Sequence, residues 1–303
     1  MTIELFGHKD FHGNSAEIKN NVSDMKHTLL RYRASSMKLL DGCDKALLFQ
    51  GCDWTGDVMW RHGVARVGDL GDFNNKVKSV RILPFHMKLK YHVIYSGKDL
   101  PGPNDSGTGL YSGMGNLLNL AKLVKEMHRI VHDVWNEYLI DLLMEESISW
   151  QEVKKYFTLN LKRGELEELT NENEINFPTD CVNVVLVDDV RQSRKQRNAV
   201  GVATDIGSLS TPVVVAEVIS SSDVFQNART IAHEIGHMFG LSHGGNCDPT
   251  RLMTQTGAVK ASGRVEDAVH LSREEVETVH RNLAAHDAAA ALTRPNHFDL
   301  RKG

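Results

Sequence analysis

Cysteine is scarce, with four in 303 residues, too few for a disulfide framework to replace a hydrophobic core. Long apolar runs are missing too. Nothing approaches the roughly 18 to 20 residues that a membrane-spanning helix needs. There is no surplus of positive charge: Lys and Arg number 35 against 39 Asp and Glu, a formal net charge of −4. The chain therefore lacks the basic face on which nucleic-acid binding depends. The opening MTIELFGHKD has neither a basic n-region nor an apolar h-region, so it does not read as a signal peptide. What is present is ordinary for a folded soluble protein, 41% apolar and 24% charged, in a chain long enough for one large domain or two smaller ones. Histidine is the outlier, at 15 residues.

The texture changes near Pro84. Before it, apolar and polar residues alternate in Thr2–Phe6, Lys45–Gln50 and Lys78–Leu83, with Gly, Asn and Asp between. That spacing predicts an all-β sandwich over residues 1–84. After it, the pattern is mixed. Lys88–Tyr95, Cys181–Val187 and Pro212–Val218 read as strands, and Asn227–Phe239 as a helix. Apolar residues at three- and four-residue steps predict a long helix from Asn116 to about Glu146. Ser272 and Glu275 form a capping box that opens a last helix. Residues 85–303 therefore read as one α/β domain.

The chemistry is concentrated in His233-Glu234-Ile235-Gly236-His237-Met238-Phe239-Gly240-Leu241-Ser242-His243. On a helix, His233 and His237 lie one turn apart on one face and can reach the same ion. Gly240 can end the helix in a left-handed conformation, so that His243 approaches from another direction. Three neutral nitrogens suit Zn²⁺ and leave a fourth position for water. Glu234 stands beside the first ligand, within reach of that water. Chance occurrence of the short HExxH pattern is roughly 4% in a chain of this composition, and of the extended pattern about 2 in 10,000.

The extended motif resembles the zinc signature of the metzincin metallopeptidases, and Thr230-Ile231-Ala232 before it is similar to the adamalysin (reprolysin) branch. Met253, ten residues past His243, fits the family's methionine turn, a structural floor to the site. The resemblance covers roughly residues 88–290. It implies a zinc endopeptidase in which a Zn²⁺-bound water attacks the peptide bond and Glu234 is the general base. It also implies that the strand before the active-site helix, Val213, Val214, Val215 and Ala216, is an edge that pairs with extended substrate. Residues Thr254–Lys260 are expected to wall the pocket beyond the scissile bond. Gly244, after the third ligand, matches none of the familiar branches, and Gln255 stands where some branches place a tyrosine.

Residues 1–84 resemble the βγ-crystallin family. Phe6…Phe11-His12-Gly13 and Phe49…Trp54-Thr55-Gly56 are two copies of its folded-hairpin motif, and Phe73–Arg81 matches the end of the second. The family often binds Ca²⁺ through an N/D-N/D-x-x-S/T-S segment in each motif, assembled crosswise. The first segment here is Arg31–Ser36, with its first two positions replaced. The second is Asn74–Ser79, with Lys78 where a hydroxyl is expected. One site pairing Asn75 with Ser35 is conceivable, while Lys78 opposes the other.

Other features are weaker. His128 and His132 share one-turn spacing, but no Glu or third ligand adjoins them, and His128 lies on the apolar stripe. Arg194, Lys195 and Arg197 form a basic loop. Cys43 with Cys52, and Cys181 with Cys247, are pairings that the sequence leaves open. The expected partners are a protein or peptide substrate and, if the enzyme is a toxin or secreted effector, a cognate inhibitor or immunity protein. Synthesis in the cytoplasm and export by a route other than general secretion is the expected localisation. A different class stays open: a crystallin-like binding module joined to a zinc-stabilised domain that is not catalytic.

Overall fold

A computed structural model describes residues 1–40, 43, 45–62, 66–95, 117–152, 158–160, 177–187, 189–191, 201–203, 212–217, 224–243, 250–254 and 269–293. The chain divides into two compact units, Met1–Phe85 with Ser272–Gly303, and His86–Leu271. The sequence division grouped residues 85–303 together; the last helix instead falls with the first unit.

The first unit contains β1 (Thr2–Phe6), β2 (Ser15–Ile18), β3 (Ser36–Leu40), β4 (Lys45–Phe49), β5 (Val58–His62), β6 (Arg66–Val67) and β7 (Ser79–Arg81). Two antiparallel sheets form, in the orders β2-β1-β3-β6 and β5-β4-β7. Each receives chain from the other half: β6 pairs with β3, and Val22 bridges Val80 of β7. The core between them is apolar, including Ile3, Leu5, Met25, Met37, Leu48, Phe73 and Val80. The two hairpin motifs are built alike. Asp10, Phe11 and Gly13 have φ of 54°, 64° and 79°, and Asp53, Trp54 and Gly56 have 52°, 58° and 76°. The Ser36 hydroxyl donates to the His8 carbonyl (2.7 Å) and accepts from the Phe11 N–H (3.0 Å). The Ser79 hydroxyl does the same for Gly51 (2.7 Å) and Trp54 (3.0 Å). Lys38 lies 4.8 Å over the Phe11 ring, and its counterpart Arg81 lies 4.5 Å over Trp54. The two halves of this β unit thus repeat one hairpin motif around a shared core.

The second unit is α/β. Its strands are β8 (Phe85–Tyr95, entering from the first unit), β9 (Ile140–Met144), β10 (Ser149–Glu152), β11 (Thr158–Asn160), β12 (Val182–Val187), β13 (Asp189–Arg191), β14 (Gly201–Ala203) and β15 (Val213–Glu217). Its helices are α1 (Leu117–Asn136) and α2 (Val224–Met238); α3 (Arg273–Thr293) follows in the first unit. The main sheet runs β10-β8-β12-β15-β14, with β9 paired to β8. Its first four strands are parallel and β14 is antiparallel. β12 reads VNVVLV and is buried at every position, as a central parallel strand covered on both faces must be. α1 packs on α2, with the Trp135 ring edge-on to Phe239 at 5.0 Å.

Two sequence expectations need correction here. The long helix ends at Asn136 and not near Glu146. Its last turn tightens, with the Tyr138 N–H bonding the Trp135 carbonyl (2.9 Å) and the Leu139 N–H that of Asn136 (3.2 Å). Leu139 then adopts φ 58°, and β9 begins. Tyr138 and Leu142 fit the helical step, but Ile140 and Leu142 fit a strand equally, because a four-residue spacing satisfies both periods. The second correction concerns Val213–Ala216, which are not at an edge. β14 covers their outer side, with Ala203 opposite Val214, Val202 opposite Val215 and Gly201 opposite Ala216. Among the described residues, β14 is the end of that sheet.

Candidate metal centre

α2 is buried along nearly its whole length, from Gln226 to Gly236. It stops at Gly240, whose φ of 88° lies in the left-handed region that costs glycine least. The Leu241 N–H bonds the Gly236 carbonyl (3.0 Å) and the Gly240 N–H that of His237 (2.8 Å), the two bonds of a Schellman cap. The chain is thereby reversed, and His243 returns to the helix.

The three imidazoles meet at their Nε2 atoms. His233 to His243 is 3.1 Å and His237 to His243 is 3.1 Å. Among the described residues this is the one group of three or more potential ligands whose donor atoms all lie within 4.8 Å. Two nitrogens 2.0–2.1 Å from a tetrahedral Zn²⁺ are about 3.3 Å apart, so the spacing fits the ion. The tautomers fit as well. His233 Nδ1 is 2.7 Å from the Leu252 carbonyl and His237 Nδ1 is 2.7 Å from that of Leu241. A carbonyl can only accept, so each Nδ1 carries the proton and each Nε2 presents a lone pair to the centre.

Burial grades across the site. His233 is 7% exposed and Glu234 5%, whereas His243 is exposed. Burial pushes His233 down to about 3, with its neighbours' charges adding to the effect, and lowers His243, with His237 contributing. His233 is thus neutral at ordinary pH. Burial raises Glu234 to about 8.

The floor of the site is the segment Arg251–Thr254. Leu252, Met253 and Thr254 are 0%, 1% and 4% exposed. Gly236 faces the Met253 thioether, where any side chain on the helix would intrude. Arg229 passed unnoticed in the sequence. It is 1% exposed, and its Nη2 donates to the carbonyls of Leu252 (3.2 Å) and Thr254 (2.7 Å). The available signal was a guanidinium in the otherwise uncharged helical run before Glu234. Gly244, Gln255, the remainder of the expected pocket wall to Lys260, the basic residues Arg194, Lys195 and Arg197, and Cys247 lie outside the described residues. Cys43 and Cys52 are not bridged to each other.

His128 and His132 are otherwise engaged. His128 Nδ1 is 3.2 Å from the Tyr91 hydroxyl, and His132 Nε2 is 2.9 Å from Asp141 Oδ1. Asp141 Oδ2 in turn meets His86 Nδ1 at 2.8 Å.

In the β unit, Ser35 and Asn75 do come together. The Ser35 hydroxyl is 2.9 Å from the Gly7 carbonyl and 3.5 Å from Asn75 Oδ1. Next to them, Asn74 Oδ1 is buried without a hydrogen-bond partner. The position equivalent to Asn75 in the first motif is Tyr32, and its hydroxyl donates to Asp24 Oδ1 at 2.6 Å.

No protein-family model matches the chain, and no curated protein matches it. Solved structures do. The N-terminal domain of Protein S is 29% identical, covering 27% of this chain and 93% of that one, with a TM-score of 0.24. A structure from work on the evolution of the eye-lens βγ-crystallin domain fold is 26% identical, over 28% and 86%, with a TM-score of 0.26. A βγ-crystallin from Ciona intestinalis is 19% identical, over 27% and 99%, with a TM-score of 0.25. The likeness is to βγ-crystallin domains and extends over little more than a quarter of this chain. Among the described residues, no helix is long and apolar enough to cross a membrane.

Proposed function

We propose that the α/β unit is a zinc-dependent endopeptidase acting on protein or peptide substrates. The observation that carries this reading is the convergence of three Nε2 atoms, two of them made lone-pair-bearing by backbone acceptors at Nδ1, beside the buried carboxyl group of Glu234. His233, His237 and His243 hold the ion. When bound, zinc supplies a Lewis acid for the scissile carbonyl and makes water a stronger acid. Glu234 accepts the proton of the attacking water and delivers it to the leaving amine. Burial alone favours its neutral form, and a neighbouring divalent charge acts the other way, towards the carboxylate that a base requires. β14, at the sheet end and alongside α2, offers backbone groups to an extended substrate, the role first given to Val213–Ala216.

The test is metal content and cleavage of an unfolded protein substrate, wild type against Glu234→Gln. The wild type should hold about one zinc per chain and cleave. The variant should keep the zinc and lose roughly 10²- to 10⁴-fold in rate. A zinc-loaded wild type that cleaves nothing, or a Glu234→Gln variant within about threefold of it, overturns the reading.

A second reading concerns the β unit as a calcium-binding module. It is supported by the proximity of Ser35 and Asn75 and by the unpartnered Asn74 Oδ1, hard oxygen donors of the kind Ca²⁺ takes.

A further inference from the structure

One carbonyl serves two donors at the base of the metal centre. The oxygen of Leu252 accepts from His233 Nδ1 at 2.7 Å and from Arg229 Nη2 at 3.2 Å. The same Arg229 nitrogen reaches the Thr254 carbonyl at 2.7 Å. Arg229 lies one turn before His233 on α2, so both side chains leave the same helix face. Its guanidinium spans Met253 and clasps the carbonyls on either side of it. The whole assembly is out of water, with Arg229, Leu252 and Met253 at 1%, 0% and 1% exposure. A buried guanidinium is costly to place and is retained where its fork of donors is used.

We propose that Arg229 is a positioning residue for the metal centre. By fixing the Leu252 carbonyl it sets the ring plane and tautomer of His233, so that Nε2 stays turned towards His237 and His243. Arg229 itself does not touch the ion. The inference rests on reading the three histidines as a zinc site. It differs from a purely structural role because it requires the effect to pass through His233.

Arg229→Lys and Arg229→Met test it. Lysine keeps the charge but not the planar fork; methionine keeps the bulk and loses every donor. Zinc affinity is read by chelator competition, the Co²⁺-substituted visible spectrum reports ligand geometry, and thermal unfolding in chelator reports stability without metal. Loss of an outer partner of a ligating histidine costs about 10- to 100-fold in metal affinity. Arg229→Met should fall in that range with altered Co²⁺ bands, and Arg229→Lys should recover part of the affinity. Unchanged zinc affinity and Co²⁺ bands in both variants, whatever their melting temperatures, overturn the proposal. Should neither variant fold, ¹⁵N-histidine NMR of the wild type decides: His233 must carry its proton on Nδ1, and a proton on Nε2 overturns the proposal. A wild type that binds no zinc defeats the zinc reading separately, and the tautomer of His233 is still read.

Discussion

Gly236 stands so close to Met253 that a Cβ on the glycine would lie 2.5 Å from the thioether sulfur. The contact joins the helix that carries His233 and His237 to the turn that holds the carbonyl acceptor of His233.

Gly236→Ala therefore sets two effects against each other. In a helix interior alanine is favoured over glycine by about 1 kcal/mol. Overpacking a buried contact costs about 1–3 kcal/mol, and Met253 is fully enclosed. The clash should win, with a net loss of about 1 kcal/mol in denaturant unfolding. In a Met253→Ala background the same substitution should become neutral or stabilising, because the obstacle is gone. Additive effects of the two changes would mean that the contact is not what constrains position 236.

Acid should destabilise the α/β unit through His128. Burial, then the neighbouring His132, pushes it down to about 4. Its folded value lies below the roughly 6.5 of an unfolded chain, so the unfolded state takes up the proton first as pH falls. The stability is fully present above about pH 6.5 and is lost as pH falls towards 4. In chelator, the denaturation midpoint should drop across that window, and His128→Gln should make the drop shallower. An identical slope in the variant would place the acid sensitivity elsewhere, with His233, which burial pushes lower still, and His92, which burial also lowers, as the next groups to change.

Calcium binding, if the β unit has it, should stop at one ion. Ser35 and Asn75 are already in place, whereas the opposite pair is Tyr32 and Lys78, with the Tyr32 hydroxyl bound to Asp24. Calorimetry should find one site that Asn75→Ala removes. At 100 times the dissociation constant that site should add about 2.7 kcal/mol to stability. Two sites, or one that survives Asn75→Ala, would put the ion elsewhere.

The parts of this molecule visible in the sequence are those where one residue type does one job. The convergence of His233, His237 and His243, the capping box of Ser272 and Glu275, observed as reciprocal bonds of 2.6 and 3.2 Å, and the left-handed Gly240 all follow from local chemistry. The misplacements arose where the decision is made by distant chain. The end of α1 was blurred because Leu142 suits helix and strand alike. Val213–Ala216 looked like an edge because nothing in VVVA says that Gly201–Ala203 will pair beside it. Arg229 stands out as a lone charge in its helical run, but its role does not, because the carbonyls it bonds are more than 20 residues away and backbone oxygens leave no mark on a sequence.

The last helix gives the sharpest test of where the two units divide. In α3, Val276, Val279 and Leu283 are 0%, 1% and 2% exposed, and the helix packs against β5 of the first unit. Fully burying an aliphatic side chain is worth about 1.5–3 kcal/mol. A chain ending at Leu271 should therefore lose on the order of 3 kcal/mol or more from the β unit. The proposed zinc ligands His233, His237 and His243 lie in the other unit and should keep their affinity. Hydrogen exchange read peptide by peptide separates the two: protection should fall in β4 and β5 and hold in β12 and α2. A truncated chain that loses zinc while its β strands stay protected would instead assign the helix to the α/β unit, as the grouping of residues 85–303 by sequence had it.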